Sequence, residues 1–296
     1  MIRMGKVLDY IKATKYNIGF VDGNLESIIA GEQIRVNWMK HPYKDRWFAD
    51  PFILDVTDDE IIVLVEEWYD PIQRGRISKL VVDKTTYELK QLKVMIEESS
   101  HLSFPAIERK DNDIYIYPER AGTHLEGYKY IEKDDRFEKI GIVSDLPLTD
   151  SVITDLFGQR LLFSTKMPDA NGKELGIYYL DETQKEYKLK CYCYFEENIS
   201  RMAGNFFSYN GKIYRPAQVC IKSYGDAVPL QEVSYEGGEF NFVEIRRIYS
   251  PNRDLDLGFH TFNECKGTIV VDALGFRRPK LAHALRSIKN FIKISK

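Results

Sequence analysis

A strand–turn–strand unit returns five times along this chain at intervals near fifty residues, and few architectures accommodate such a period. The first copy is Trp47-Phe48-Ala49-Asp50-Pro51-Phe52-Ile53, followed by a polar turn at Asp58-Asp59 and an apolar run from Ile61 to Val65. The second is Phe104-Pro105-Ala106-Ile107 with a turn at Asp111-Asn112, and the third Asp150-Ser151-Val152-Ile153 with a turn at Gly158. The last two are Gly204-Asn205-Phe206-Phe207 with Asn210-Gly211, and His260-Thr261-Phe262-Asn263 with Lys266-Gly267. With Asp50, Phe104, Asp150, Gly204 and His260 aligned, the steps are 54, 46, 54 and 56 residues. Short strands repeating at this length stack radially as the blades of a propeller.

Outer strands follow each of the first four units, for example Arg76 to Val82 and Tyr87 to Ile96 after the first. Four strands per repeat fit a blade better than a sandwich. The last repeat lacks outer strands, whereas Tyr16 to Val21 and Gln33 to Met39 precede the first. Joining these N-terminal strands to the final blade closes the ring and removes exposed edges. The expectation is an all-β, five-bladed propeller in one domain over 1–296, with blades near 47–99, 100–146, 147–199, 200–254, and 255–275 plus 16–40. Short helices are expected at residues 4–14 and, basic and amphipathic, at 281–296; the second packs on a blade edge or touches a membrane surface.

Bulk properties exclude several classes. A formal net charge of −3 gives no overall pull towards nucleic acid. Cys191, Cys193, Cys220 and Cys265 lack zinc-ligand spacing and read as reduced thiols. Without a signal-peptide pattern or an apolar run of membrane-spanning length, the expected location is cytoplasmic, membrane-peripheral at most. Gly-rich phosphate loops, nucleophile elbows and dinucleotide fingerprints are absent.

In a propeller the first residues of the inner strands gather at one mouth of the central channel. That register brings Asp50 and Asp150, from blades one and three, face to face. Two carboxyls roughly 6.5–9.5 Å apart are what inverting glycoside hydrolysis requires, one activating water and the other protonating the leaving oxygen. Each aspartate also has a plain explanation as a turn former beside Pro51 or Pro147. Glu119 and Glu67 end second strands and lie along the channel or at its far rim. Trp47 offers a stacking surface; His101, Arg201, Asn205, Arg215, Gln218 and His260 are the candidate substrate contacts. No cofactor is read from the sequence; a divalent ion in the central channel stays open near His260, without an identifiable ligand set.

The opening of blade one, Ala49-Asp50-Pro51, with Asp150 opening blade three, resembles the five-bladed propellers of glycoside hydrolase family 43 and its clan. The set Arg46 to Phe52, His101 to Pro105, Tyr117-Pro118-Glu119, Tyr214 to Gln218 and His260 to Asn263 more closely resembles one branch. That branch is the N-terminal propeller domain of plant glucosamine inositolphosphorylceramide transferases, also found in bacterial proteins of polysaccharide-biosynthesis loci. The resemblance implies a carbohydrate or sugar-phosphate ligand, Asp50 as general base and Asp150 as the carboxylate that tunes it. It also implies a general-acid Glu opening blade four, but this chain reads Arg201-Met202-Ala203-Gly204-Asn205 there. A glycosidase would then need Glu119 or Glu67 as acid, or a leaving group such as phosphate, steadied by Arg201 or Arg215. The expected function is a glycosidase- or glycosyltransferase-like enzyme of surface polysaccharide assembly; the alternative is a sugar-binding or scaffold propeller that has lost the acid.

Overall fold

The structure, a computed structural model, describes residues 12–285. Twenty strands form five four-stranded antiparallel sheets. Blade one is β3 (Arg46–Val56), β4 (Glu60–Tyr69), β5 (Arg74–Asp83) and β6 (Leu89–Ile96). Blade two is β7 (Ser103–Lys110), β8 (Asp113–Glu119), β9 (Leu125–Ile131) and β10 (Arg136–Ser144). Blade three is β11 (Leu148–Leu156), β12 (Gln159–Lys166), β13 (Glu174–Asp181) and β14 (Glu186–Tyr194). Blade four is β15 (Phe207–Tyr209), β16 (Lys212–Pro216), β17 (Val228–Glu236) and β18 (Glu239–Ile248). The fifth runs in the order β19 (Phe262–Cys265), β20 (Thr268–Phe276), β1 (Thr14–Asp22), β2 (Arg35–Trp38), so the N-terminal strands complete it as expected.

Local sequence explains the hairpins. The inner strands of blades two to five turn into their partners at Asp111-Asn112, Phe157-Gly158, Asn210-Gly211 and Lys266-Gly267, both residues of each pair having positive φ. Two consecutive left-handed residues are what a tight hairpin needs to match the strand twist. A single helical turn, α1 (Leu25–Ile29), links β1 to β2, capped by the Asn24 side chain accepting from the Ser27 N–H at 3.0 Å.

Aromatic side chains fill the spaces between blades. Phe52 meets Phe104 edge-on at 4.9 Å across blades one and two, and Phe163 meets Phe206 at 4.6 Å across blades three and four. Phe207 meets Phe262 at 5.7 Å across blades four and five. Ile18 and Phe20 of the closing strand β1 pack with Phe48, Val63 and Val270, joining blade five to blade one.

Two boundaries differ from expectation. The inner strands of blades four and five begin late, at Phe207 and Phe262 rather than at Gly204 and His260. Ahead of them the two blades bond to each other, the Phe262 N–H donating to the Ala203 carbonyl, and a Cβ on Gly204 would lie 2.1 Å from the Phe262 carbonyl. Residues 279–285 are helical, and the rest of the expected basic helix lies outside the described residues, as does the segment 4–11. Among the described residues no helix is long and apolar enough to cross a membrane.

Because β1 closes the ring through buried Ile18, Ile18→Ala is expected to lower the unfolding free energy by about 2–5 kcal/mol. Urea denaturation measures it, and an unchanged midpoint would show that closure contributes little.

Candidate active site

Three of the five residues aligned from the repeat share one backbone device. Asp50, Phe104 and Asp150 all sit in the left-handed region, with φ of 49°, 45° and 46°. At each, the ladder skips: between Ala49 and Phe52, Ser103 and Ala106, and Thr149 and Val152. Such a bulge bends the strand and re-aims one side chain. In blades one and three the re-aimed group is a carboxylate.

Asp50 is held from two neighbouring blades. One oxygen accepts from the Phe104 N–H of blade two at 3.1 Å; the other accepts from the Thr261 hydroxyl of blade five at 3.1 Å and lies 3.4 Å from His260 Nε2. Behind His260 stands Asp272, whose oxygens accept from four donors: His260 Nδ1 at 2.7 Å and the backbone N–H groups of His260, Thr261 and Asp50. The result is a carboxylate–imidazole–carboxylate chain, Asp272–His260–Asp50. Burial alone would discharge the imidazole, but the two aspartates lift its pKa to about 9, so it carries a proton at neutrality. Burial raises Asp50 to about 6, with Asp150 and Asp272 adding repulsion and His260 opposing.

Asp150 is gripped differently. One oxygen accepts from Arg201 Nε at 2.5 Å and Gln218 Nε2 at 2.7 Å, while its own N–H donates to Glu119 at 3.1 Å. Arg201 also donates to Glu119 at 2.9 Å and lies over the Tyr224 ring. Burial pushes Asp150 up to about 7 despite Arg201 beside it.

Asp50 and Asp150 therefore belong to one buried chamber of polar side chains, close enough to repel. Their exposures are 4% and 2%, rising to 31% for the His101 side chain and 38% for Tyr224. Aromatic rings border the chamber. Trp47 stacks on Trp68 at 5.5 Å, with the planes 4° apart, and Tyr16 stacks on His260 at 4.6 Å.

The sequence-selected residues divide. Trp47, His101, Glu119, Arg201, Gln218 and His260 join the two aspartates around this chamber. Arg215 does not: it is wholly buried between Phe195 and Phe242, and donates to Gln231, Met202 Sδ and the Ile199 and Ser200 carbonyls. Asn205 donates to the Ile107 carbonyl and lines a cavity of about 330 Å³ at the other end of the inner strands, with Glu108, Arg109, Asp155 and Glu264. Glu67 is locked by Arg46, Arg76 and Ser78 within blade one. Sequence reasoning missed Asp272, Glu66, Tyr16 and Tyr224; Asp272 ends the apolar run Ile269-Val270-Val271, where a carboxylate is itself a signal.

Asp50, His260 and Asp272 each bring one ligand-type atom within 4.8 Å of the others, the one such group among the described residues. The four donors on Asp272 use up its lone pairs, so the set suits an imidazolium rather than a divalent ion.

With this geometry established, comparison with known proteins places the chain. The family described as glucosamine inositolphosphorylceramide transferase 1, N-terminal, matches residues 36–254. The chain belongs to that family. Among curated members, glucosamine inositolphosphorylceramide transferase 1 of Oryza sativa subsp. japonica is 26% identical over 201 residues, covering 64% of this chain and 27% of the rice protein. The Arabidopsis thaliana protein of that name is 26% identical over 210 residues, covering 67% and 27%. The chain thus matches about a quarter of the length of these relatives.

Solved structures support the fold that this family domain adopts. A family 117 glycoside hydrolase from Zobellia galactanivorans aligns with TM-score 0.52 at 10% identity, covering 90% of this chain and 92% of its own. A family 43 β-xylosidase/α-arabinofuranosidase from a compost metagenome aligns with TM-score 0.52 at 11% identity, covering 80% and 93%.

His260 supplies a pH test. Its folded pKa lies above the ordinary 6.5, so its stabilisation is complete below that value and is lost as pH rises through about 9. The raised Asp50 and Asp150 act below about 7, while Glu66, raised well above the ordinary carboxyl range, adds to the fall at higher pH, so the share of His260 is the difference between wild type and variant. Melting temperature should fall between about pH 7 and about pH 9, and His260→Gln should flatten the slope; an equally steep fall in the variant would remove His260 as the cause.

Proposed function

We propose that this propeller is a carbohydrate-active enzyme that moves a glycosyl unit, to water or to a second hydroxyl, with Asp50 as the base. The observation that carries the reading is the Asp272–His260–Asp50 chain aimed into a chamber that Asp50 shares with Asp150. A base needs a pKa just below working pH and a fixed direction; burial supplies the first, and the Phe104 N–H and Thr261 hydroxyl the second. Asp150, fixed by Arg201 and Gln218, is placed to hold sugar hydroxyls and tune Asp50. The stacked Trp47, Trp68 and Tyr16 suit the apolar face of a sugar ring.

Charge selects among sugars. Asp50, Glu66, Glu119, Asp150 and Asp272 surround the chamber, against Arg201 and the protonated His260. Arg201 is already paired with Asp150 and Glu119, which weighs against a phosphate and for a neutral or amino sugar. The curated relatives carry glucosamine in their name, and an amino sugar is the ligand class we assign. Such a role fits glycan or glycolipid assembly.

A second reading is a sugar-binding propeller without turnover, favoured by the absence of a carboxylate from Arg201 to Asn205 at the opening of blade four. Asp50→Asn separates the two. Assayed on glucosamine glycosides, sugar phosphates and nucleotide sugars, the enzyme should lose roughly 10²–10⁴-fold in turnover while keeping its ligand-induced thermal shift. Equal thermal shifts with no turnover in either form would establish the binder.

A further inference from the structure

The glycosyl-transfer reading lacks a proton donor, since blade four contributes none, Glu67 is locked in place and Glu119 is paired with Arg201 and accepts from the Asp150 N–H. Glu66, one residue earlier on β4, is the buried carboxyl the mechanism above leaves unused. Alternation along the strand sends Glu67 to Arg46, Arg76 and Ser78 and turns Glu66 to the opposite face. It pairs across the ladder with Ala49, next to Asp50.

The groups around it come from every wall of the chamber. Asp50 on β3, Glu119 on β8, Asp150 on β11 and Asp272 on β20 all act on Glu66 through charge. Arg201 and His260 are committed to these other carboxylates. Among the described residues Glu66 meets one nitrogen, His101 Nε2, 3.4 Å from its Oε1. That imidazole is neutral, and its Nε2 is the nitrogen that faces Glu66. Its Nδ1 accepts from the Gly75 N–H at 2.8 Å, which puts the ring hydrogen on Nε2, and burial holds its pKa low. The arrangement is built at close quarters: a Cβ on Gly75 would lie 2.7 Å from Glu66 Oε1 and 2.7 Å from His101 Cε1.

A carboxyl with four like-charged neighbours and one neutral partner keeps its proton; burial and those four carboxylates raise its pKa well above the ordinary range. We propose that Glu66 is the proton donor of this site, delivering its hydrogen to the sugar oxygen that departs, with His101 as the positioning residue that orients it. In the step, the acceptor oxygen bonds to the anomeric carbon and yields its proton to Asp50. The bond from that carbon to the leaving oxygen breaks, and the leaving oxygen takes the proton of Glu66. Solvent then removes the proton from Asp50 and restores that of Glu66. The donor thus comes from blade one, the same blade as the base.

This rests on the glycosyl-transfer reading, and the test separates the two. The full chain is assayed on methyl and 2,4-dinitrophenyl glycosides of glucosamine, both anomers. The dinitrophenolate leaves without protonation and the methoxide does not. Glu66→Gln should lose roughly 10²–10⁴-fold on the methyl glycoside and less than about tenfold on the dinitrophenyl one, and its alkaline limb in kcat/KM should vanish. Glu66→Asp, which keeps the acid but shortens its reach, should show the same inequality more mildly. Infrared spectroscopy at neutral pH should find a protonated-carboxyl band in the wild type that Glu66→Gln removes. Equal losses on both glycosides, or no such band, overturn the assignment of Glu66 whatever the wild-type rate. A wild type inert on both glycosides, with the band present, overturns the glycosyl-transfer reading and the donor role with it.

Discussion

The left-handed bulge that opens the inner strands is the constraint on which the rest of the molecule depends. At Asp50, Phe104 and Asp150 a non-glycine residue holds a positive φ, which costs energy that surrounding contacts must offset. In blade two the offset is apolar: Phe104 packs edge-on against Phe52, and its N–H donates to Asp50. In blades one and three it is polar. Asp50 links to blades two and five, and Asp150 to Glu119 of blade two and to Arg201 and Gln218 of blade four. The chemical groups of the mouth are therefore also the ties between blades.

That double duty sets the electrostatics. Five carboxylates gathered by ring geometry cannot all ionise beside one arginine and one imidazolium, so the repulsion is distributed as raised pKa values. The polar partners decide which group does what. Asp272 is saturated by donors and holds His260 charged; Asp150 is gripped by Arg201; Glu66 has only a neutral imidazole. On the proposed reading, a base and an acid emerge from environment rather than from residue type, which is how a pair of carboxyls acquires opposite roles.

Much of the architecture was legible because it rests on local rules repeated five times. Two-residue turns such as Asn210-Gly211 and Lys266-Gly267 mark the inner hairpins, and a missing set of outer strands after Asp272 announced that the N-terminal strands must close the ring. Aligning the repeats put Asp50 and Asp150 in register, and a bulge at the same place in blades one, two and three preserved it. Arg215 and Asn205 misled for one reason: neighbours in sequence to mouth residues, they project elsewhere. Arg215 turns between Phe195, which follows blade three, and Phe242 of blade four, and Asn205, ahead of its strand, faces the other end of the inner strands. Glu67 drew attention as a strand-end carboxylate while its neighbour Glu66 did not, and only strand alternation against real neighbours separated a locked ion pair from an acid facing a neutral imidazole.

Sequence alone determined the fold class, the number of blades, the closure of the ring and the family, because periodicity, turn chemistry and motif order are properties of the chain read in one dimension. Tertiary structure decided which side chains meet. Asp272 reaches His260 within one blade, and Asp50 across a separation of 222 residues. Proton affinities followed from that meeting, since burial and the sum of neighbouring charges exist only once five blades enclose a common space.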